Sequence, residues 1–201
     1  IAGSFDKDKD GILSAEEIAA VTRIDISSKN IEDLTGISCF TELTALNCYD
    51  NKLTSIDVSK NTKLTRLDCH INQLTSLDVS NNTELTDLIC GKNLLTSLDV
   101  SKNTKLIDLY CYENQLTSLD VSKNLELIKL NCTDNQLDSI DVSKNTKLEE
   151  SLKNGEYAPL SIVQAVDRCK ELAALFNQKH IKIIRIGLQN TDEICEPGSQ
   201  N

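Results

Sequence analysis

The chain has few of the residues that fill a mixed core or bend a backbone sharply. Its 201 residues include four Tyr, three Phe and two Pro, with no Trp and no Met. A core with so few aromatic side chains must be built from Leu, Ile and Val in many small, equivalent layers. No apolar run approaches the roughly 18 residues of a membrane span, so no membrane insertion is expected in this segment. Because a translated chain begins with Met, the absence of Met predicts a processed or excised segment.

Positive charge is also scarce. Lys and Arg number 21 against 31 Asp and Glu, which gives a formal net charge of −10. This excess of negative charge argues against binding to nucleic acid or anionic lipid, because their phosphate groups attract positively charged proteins. The composition, 39% hydrophobic and 26% charged, is otherwise that of an ordinary folded protein.

Cysteines recur at a fixed interval and reveal an internal repeat. Five of the eight are spaced by 21 residues: Cys48, Cys69, Cys90, Cys111 and Cys132. A constant period of this length is typical of repeat architectures. Residues 43–147 therefore divide into five units, each one period long.

Each unit contains two segments with inward-pointing apolar residues. In the unit 64–84, the first segment reads L-x-x-L-x-C-x-x-N-x-L and directs Leu67 and Cys69 inward. The second segment repeats the spacing and directs Leu77 and Val79 inward. We therefore predict a leucine-rich-repeat solenoid, mainly β, in which coils about 4.8 Å apart form two parallel sheets.

The stacked cysteines and asparagines have structural interpretations. Cysteines stacked in one direction leave their Cβ atoms near the coil spacing, beyond the roughly 3.5–4.5 Å that a disulfide requires, so buried free thiols are favoured. Side-chain amides can satisfy backbone groups at the corners of a coil. Two ladders of Asn recur with the same period, at residues 51, 72, 93, 114 and 135 and at residues 61, 82, 103, 124 and 145.

The amino-terminal residues contain the only sharp chemical motif. Residues 6–17 match the EF-hand loop D-x-D-x-D-G-x-x-S-x-x-E at every ligand position. Calcium requires six to eight oxygen ligands. The predicted ligands are Asp6, Asp8, Asp10, the carbonyl of Ile12, Ser14 through a water and a bidentate Glu17.

Two interpretations of this loop are open. Calcium would bind with a dissociation constant of about 10⁻⁴–10⁻³ M, typical of extracellular modules, and would order the helix that covers the first coil. The alternative is a solvated acidic turn before a capped helix over residues 14–21. Only five residues remain for the entering helix, and the chain has no second loop to pair with the first.

One outward surface of the solenoid varies from coil to coil and the other does not. The constant surface carries Ser-Asp-Ser triplets, which favour a hydrogen-bonded structural ladder, with weak cation binding as the alternative. The variable surface carries three of the seven aromatic residues. Tyr beside charged groups is typical of contact surfaces, although drift after duplication also produces variability. The predicted ligand-binding residues are Asn47, Tyr49, Arg66, Asp68, His70, Ile89, Tyr110, Tyr112 and Asn131.

The repeating unit L-x-x-L-x-C-x-x-N-x-L-x-x-L-D-V-S-x-N-x-x resembles bacterial leucine-rich repeats that nest two strand motifs in one unit. Residues 23–42 depart from this unit, since the step from Ile24 to Leu46 is one residue longer than the later steps, and resemble the longer first repeat of internalin-type proteins. The resemblance implies a secreted or cell-surface bacterial protein. With the acidic motif, the domains are the calcium loop and capping helix in residues 1–22, the first repeat in residues 23–42 and the five repeats in residues 43–147.

The last part of the chain, residues 148–201, breaks the period and is predicted to cap the solenoid. Ser161 can cap a helix that runs to about Gln178, and a strand over residues 181–188 follows. The segments Y-A-P-L-S, A-V-D-R-C-K-E-L and E-P-G-S between residues 157 and 198 resemble the end of an elongator-subunit-like radical S-adenosylmethionine domain. The C-x-x-x-C-x-x-C motif of the iron–sulfur cluster is absent, so the resemblance transfers no enzymatic activity.

No catalytic constellation is present in the sequence. His70 and His180 are isolated, and the chain has no phosphate loop, H-E-x-x-H motif or nucleophile elbow. We therefore expect a monomeric, non-enzymatic interaction module that binds a protein or a glycan through its variable surface. The alternatives are a structural spacer without a ligand of its own and a fusion or remnant of a radical S-adenosylmethionine enzyme without its cluster site.

Overall fold

A computed structural model describes residues 5–148 as a stack of coils, each with one short strand. The six strands form a single parallel sheet in the order of the sequence. They are β1 (Arg23–Asp25), β2 (Ala45–Asn47), β3 (Arg66–Asp68), β4 (Asp87–Ile89), β5 (Asp108–Tyr110) and β6 (Lys129–Asn131). Ile24 pairs with Leu46, and Leu46 pairs with Leu67. The predicted period and its first, longer step are both confirmed.

The strands form where a Leu is flanked by residues that face outward. Leu67 at the centre of β3 is fully buried, and Cys69, just after the strand, is fully buried as well. The backbone ladder continues past the strand, since the amide of Cys69 donates to the carbonyl of Ile89 at 2.8 Å. The five stacked cysteines lie inside the Leu and Val core as thiols that form no disulfide, as predicted.

The second predicted sheet is wrong. Leu77 and Val79 point into the core, at 8% and 0% exposure, but no strand forms around them or around their equivalents in the described coils. The amide of Ser80 donates to the Asp78 carboxylate at 2.9 Å, and the amide of Asn82 donates to the carbonyl of Val79 at 3.0 Å. These local bonds turn the chain and compete with strand pairing.

Both predicted asparagine ladders are buried, or largely buried, and satisfy the backbone. The Asn93 side-chain amide donates to the carbonyls of Cys69, Cys90 and Gly91 at 3.1–3.2 Å, and its oxygen accepts from the amide of Leu74 at 3.0 Å. In the other ladder, the Asn82 amide donates to carbonyls of the preceding coil. Each coil is therefore tied to its neighbours by side chains as well as by the sheet.

The amino-terminal segment packs against the first coil. Helix α1 (Ala15–Ala19) begins after Ser14, whose hydroxyl accepts from the Glu17 amide. The helix is shorter than the expected 14–21 because the chain turns after Ala20 to enter β1. The rings of Phe5 and Phe40 lie 6.3 Å apart between centroids and pack against the core.

The extra residue of the first coil lies on the side away from the sheet. A 3-10 helix (Ile37–Cys39) occurs there, preceded by Gly36 at φ +95°. Only glycine adopts this backbone conformation without strain. The longer coil leaves Cys39 exposed to solvent.

A column of alternating charge runs along one corner of the stack. Each Lys bonds the Glu of the preceding coil, Lys63 to Glu42 at 2.5 Å and Lys105 to Glu84 at 2.6 Å. Lys147 and Glu126 form the third pair. In chain order the column reads Glu42, Lys63, Glu84, Lys105, Glu126 and Lys147.

The predicted helix and strand of the tail lie outside the described residues. The described chain ends with a helical turn at residues 146–148. Among residues 5–148, no helix has the length and apolar character that crossing a membrane requires.

Candidate binding face and acidic loop

The acidic loop brings three of its predicted ligands together. Asp6, Asp8 and Asp10 each offer a carboxylate oxygen, and these oxygens lie within 4.8 Å of one another. The amide of Gly11 donates to Asp6 at 3.0 Å and that of Ile12 donates to Asp10 at 2.8 Å, which folds the loop around the carboxylates. Gly11 has φ +88°, so the sharp turn requires glycine there.

The Glu17 carboxylate lies outside this group of three and bonds to the loop backbone. It accepts from the amide of Lys7 at 2.5 Å and from the amide and hydroxyl of Ser14 at 2.9 Å. The Ser14 amide, followed by that of Lys7, lowers the pKa of Glu17, so the side chain is anionic.

The loop has the donors that a hard divalent cation needs. Asp6 Oδ1 is buried and has no hydrogen-bond partner among the described residues. A buried acceptor without a partner is costly, and a bound cation would satisfy it. The clustered carboxylates and this oxygen therefore fit calcium chemistry.

The sheet register arranges the predicted face in rows along the stack. Arg66, Asp87, Asp108 and Lys129 are register partners in one row, and residues 47, 68, 89, 110 and 131 form the next. A third row, just beyond the ends of the strands, contains Tyr49, His70, Gly91, Tyr112 and Thr133. We call these three rows the variable face.

Aromatic rings lie along the third row. Tyr49 and His70 stack with centroids 4.7 Å apart and an angle of 17° between their planes. Gly91 comes next, and the ring of Tyr112 lies over it. A Cβ on Gly91 would lie only 2.5–2.7 Å from the ring carbons of Tyr112, so glycine is required for this packing.

Charged groups hold His70 of the aromatic row in place. Asp68 is only 7% exposed, and its carboxylate lies 2.5 Å from His70 Nδ1 and 3.6 Å from the Arg66 guanidinium. Arg66 also pairs with Asp87 at 3.3 Å, and Lys129 pairs with Asp108 at 3.3 Å. One network therefore links Tyr49, His70, Asp68, Arg66 and Asp87, and Lys129 with Asp108 forms a second pair.

The residues predicted for the face differ in their access to solvent. Asp68 and Asn131 are buried and orient their neighbours, whereas Tyr49, Arg66, His70, Tyr110 and Tyr112 are partly exposed. Burial, followed by the nearby Asp108, raises the pKa of Tyr110, and burial raises the pKa of Tyr112. Both phenols are therefore neutral donors.

Two exposed apolar residues near the face were not singled out from the sequence. Ile71 is 38% exposed next to His70, and Leu94 is 43% exposed shortly after Gly91. In the other repeats the positions equivalent to Ile71 are charged, at Asp50, Lys92, Glu113 and Asp134. The sequence could have indicated this position, because Ile71 is the only apolar residue among its charged equivalents.

The constant surface has the hydrogen bonds of a structural ladder. In each coil the amide of the second Ser of the triplet donates to the Asp before it, as in Ser101 to Asp99 at 2.8 Å. These bonds, followed by those of the Ser hydroxyls, lower the pKa of the carboxyl groups at Asp78, Asp99, Asp120 and Asp141. For Asp57 the Ser59 hydroxyl lowers the pKa most, followed by the Ser59 amide. For Asp78 the neighbouring carboxylates act on the pKa in the opposite direction with a smaller effect.

Comparison with known proteins relates this architecture to the internalins. Internalin J of Listeria monocytogenes is 42% identical over 61 residues, which are 30% of this chain and 7% of that protein. The crystal structure of internalin InlF from the same organism matches 73% of this chain and 44% of that chain, with 25% identity and a TM-score of 0.64. The described residues form an internalin-like leucine-rich-repeat solenoid.

A second solved internalin is also similar. The functional domain of InlJ from Listeria monocytogenes, described as including a cysteine ladder, matches 67% of this chain and 44% of that chain, with 31% identity and a TM-score of 0.45. The internalin-like chain spans less than half the length of each of these relatives.

The carboxy-terminal part matches a different family. The sequence-family model of the Radical_SAM C-terminal domain matches residues 139–201, in agreement with the resemblance noted in the sequence. Only residues 139–148 of this match are described, and they complete the last coil of the internalin-like solenoid.

Proposed function

We propose that this chain is a non-enzymatic interaction module of a secreted or surface bacterial protein and binds a protein partner through the variable face. The aromatic row carries the proposal. Its rings are partly exposed and already held by stacking on each other, by Gly91 and by Asp68. Rings fixed before binding lose little entropy on association, which is typical of interface anchors.

The surroundings of the row favour a protein over a glycan. Ile71, which follows His70, and Leu94, three residues after Gly91, are exposed aliphatic side chains, and Arg66 and Lys129 form ion pairs in the first row of the face. An apolar and aromatic centre with a polar rim is the usual anatomy of a protein interface. The fold relatives are internalin solenoids, which supports the same role.

Replacing Tyr49, Tyr110 and Tyr112 together by Ala tests this function. On an array of extracellular proteins and glycans, we expect the native chain to bind at least one protein. We expect the triple variant to bind it at least about a hundred-fold more weakly, because interface anchors each contribute about 1–2 kcal/mol or more.

The matched control replaces Ser76, Ser97 and Ser118, exposed on the constant surface, by Ala. This variant should bind like the native chain. Equal binding by the Tyr variant would refute the role of the face. A spacer would give empty arrays for all three proteins, and exclusive binding to glycans would replace the protein partner by a carbohydrate.

We further propose that the acidic loop binds calcium and orders the amino-terminal cap. Asp6, Asp8 and Asp10 would supply carboxylate oxygens, with the carbonyl of Ile12, Ser14 through a water and Glu17 completing the set. Calcium would neutralise carboxylates that otherwise repel one another. The support is the clustering of the three carboxylates and the unpartnered Asp6 oxygen.

Isothermal titration with calcium chloride tests the loop. We expect saturable binding with a dissociation constant of about 10⁻⁴–10⁻³ M. Asp6→Ala should abolish the heat, because it removes a central ligand. Asp33→Ala, which removes an exposed carboxylate from another turn, should leave the titration unchanged. Saturable binding that survives Asp6→Ala, or no binding to the native chain, would contradict the assignment.

A further inference from the structure

A row of threonines borders the sheet where each strand begins. The hydroxyl of Thr44 donates to the carbonyl of Thr22 at 3.0 Å. Thr65 donates to the carbonyl of Thr44, and Thr86 to that of Thr65, both at 3.1 Å. Each threonine thus ties its coil to the preceding one and presents a polar edge to water.

The same edge becomes apolar in the last two of the described coils. Ile107 and Ile128 continue the threonine row without a hydroxyl, and Ile107 is 38% exposed. Leu125 is 50% exposed at a position that is Thr in the other repeats. We call Ile107, Leu125 and Ile128 the apolar edge. The apolar edge lacks the hydroxyl hydrogen bonds of the threonine row and exposes aliphatic side chains instead. This is unfavourable in water unless another part of a protein covers the edge.

The course of the chain points to what covers the apolar edge. The described residues end at Leu148, one repeat after Leu127, which directly precedes Ile128, so the described chain ends beside this edge. Residues 149–201 follow. Within them the sequence 161–178 has the only long apolar stripe of helical period, at Ile162, Val163, Val166, Cys169, Leu172, Ala173, Leu175 and Phe176.

We propose that residues 161–178 dock on the apolar edge through this stripe. The apolar replacements occur in the two coils nearest the end of the described chain and not in the earlier ones. This is expected for a partner segment in the same chain that is connected to the solenoid by about a dozen residues. Docking would bury the edge and would protect the last coil from water. The proposal concerns a different surface from the variable face and does not depend on it.

A pair of isosteric variants tests the docking in the full-length chain. Ile107→Thr with Ile128→Thr restores the threonine row, and Ile107→Val with Ile128→Val removes the same volume without adding a hydroxyl. Without a docked segment, the Thr pair should be at least as stable as the Val pair, because its hydroxyls regain carbonyl partners. With docking, the Thr pair should release residues 161–178.

Hydrogen exchange by mass spectrometry provides the readout. We expect amides of residues 161–178 to exchange about ten-fold faster in the Thr pair than in the native chain, and within about three-fold of native in the Val pair. Leu125→Thr, a residue that other coils tolerate at this position, should give an intermediate increase. Ile71→Thr, with the same 38% exposure on the opposite edge of the sheet, should give none.

Two results would overturn the proposal. One is exchange of residues 161–178 at the same rate in the Thr pair, the Val pair and the native chain. The other is a native dimer in sedimentation velocity that the Thr pair dissociates, which would make a second copy the occupant of the apolar edge.

Discussion

Alkylation of the folded protein with iodoacetamide at pH 8 should modify Cys39 at least a hundred-fold faster than the five stacked cysteines. Cys39 is exposed, whereas the stack is buried in the core. Burial raises the pKa of Cys48 and of Cys90 to about 12 from an ordinary 9.0. Because the thiolate is the nucleophile, the reactive fraction at pH 8 falls about a thousand-fold, and burial also blocks access.

Timed labelling followed by peptide mass spectrometry measures these rates. In denaturant without reductant, all five stacked cysteines should label completely and at similar rates. Labelling of any of them at the rate of Cys39 in the folded protein would show that the core is open. Incomplete labelling after unfolding would reveal disulfides that the structure does not contain among residues 5–148.

Asn93→Ala should destabilise the chain by about 3 kcal/mol, the largest effect we expect from a single polar side chain. The substitution removes the acceptor of the buried Leu74 amide and the side-chain NH2 group that donates to three backbone carbonyls. A buried group left without a partner costs about 1–3 kcal/mol. The carbonyl of Cys69 keeps a second donor in Asn72, which limits the total.

Urea unfolding followed by circular dichroism measures this loss. Asn81→Ala is the control, because Asn81 is exposed and should change stability by less than about 0.5 kcal/mol. If Asn93→Ala unfolds at the urea concentration of the control, the ladder does not contribute to stability.

The stacking of the coils was predictable from the sequence, but the shape of each coil was not. Residues equivalent to Leu67 and Cys69 recur at the same place in every unit. A parallel stack of coils is the simplest structure that buries all of them. The segment around Leu77 and Val79 has the same inward spacing, yet it forms no strand. Its outward Asp78 accepts a hydrogen bond from the backbone amide of Ser80, which turns the chain. The spacing of the apolar residues alone does not distinguish such a turn from a β-strand.

The candidate site was predictable at the level of rows. Period and alternation placed Tyr49, His70 and Tyr112 on one side of the sheet. They did not reveal that Asp68 is buried between Arg66 and His70, or that Tyr112 lies over Gly91. Those features depend on side-chain directions across coils, and a single repeat contains no information on them.

The alternating charge column sets a preferred step for changes in the length of the solenoid. Its pairs couple one coil to the next, so neighbouring coils differ in charge and every second coil is alike. Removing residues 85–105 would place Glu84 next to Glu126, whereas removing residues 85–126 would place it next to Lys147. Each exposed pair is worth less than about 1 kcal/mol, and the pairs occur at every second junction between coils. Insertions or deletions of two coils therefore preserve the pairing of opposite charges in this column, whereas those of one coil do not.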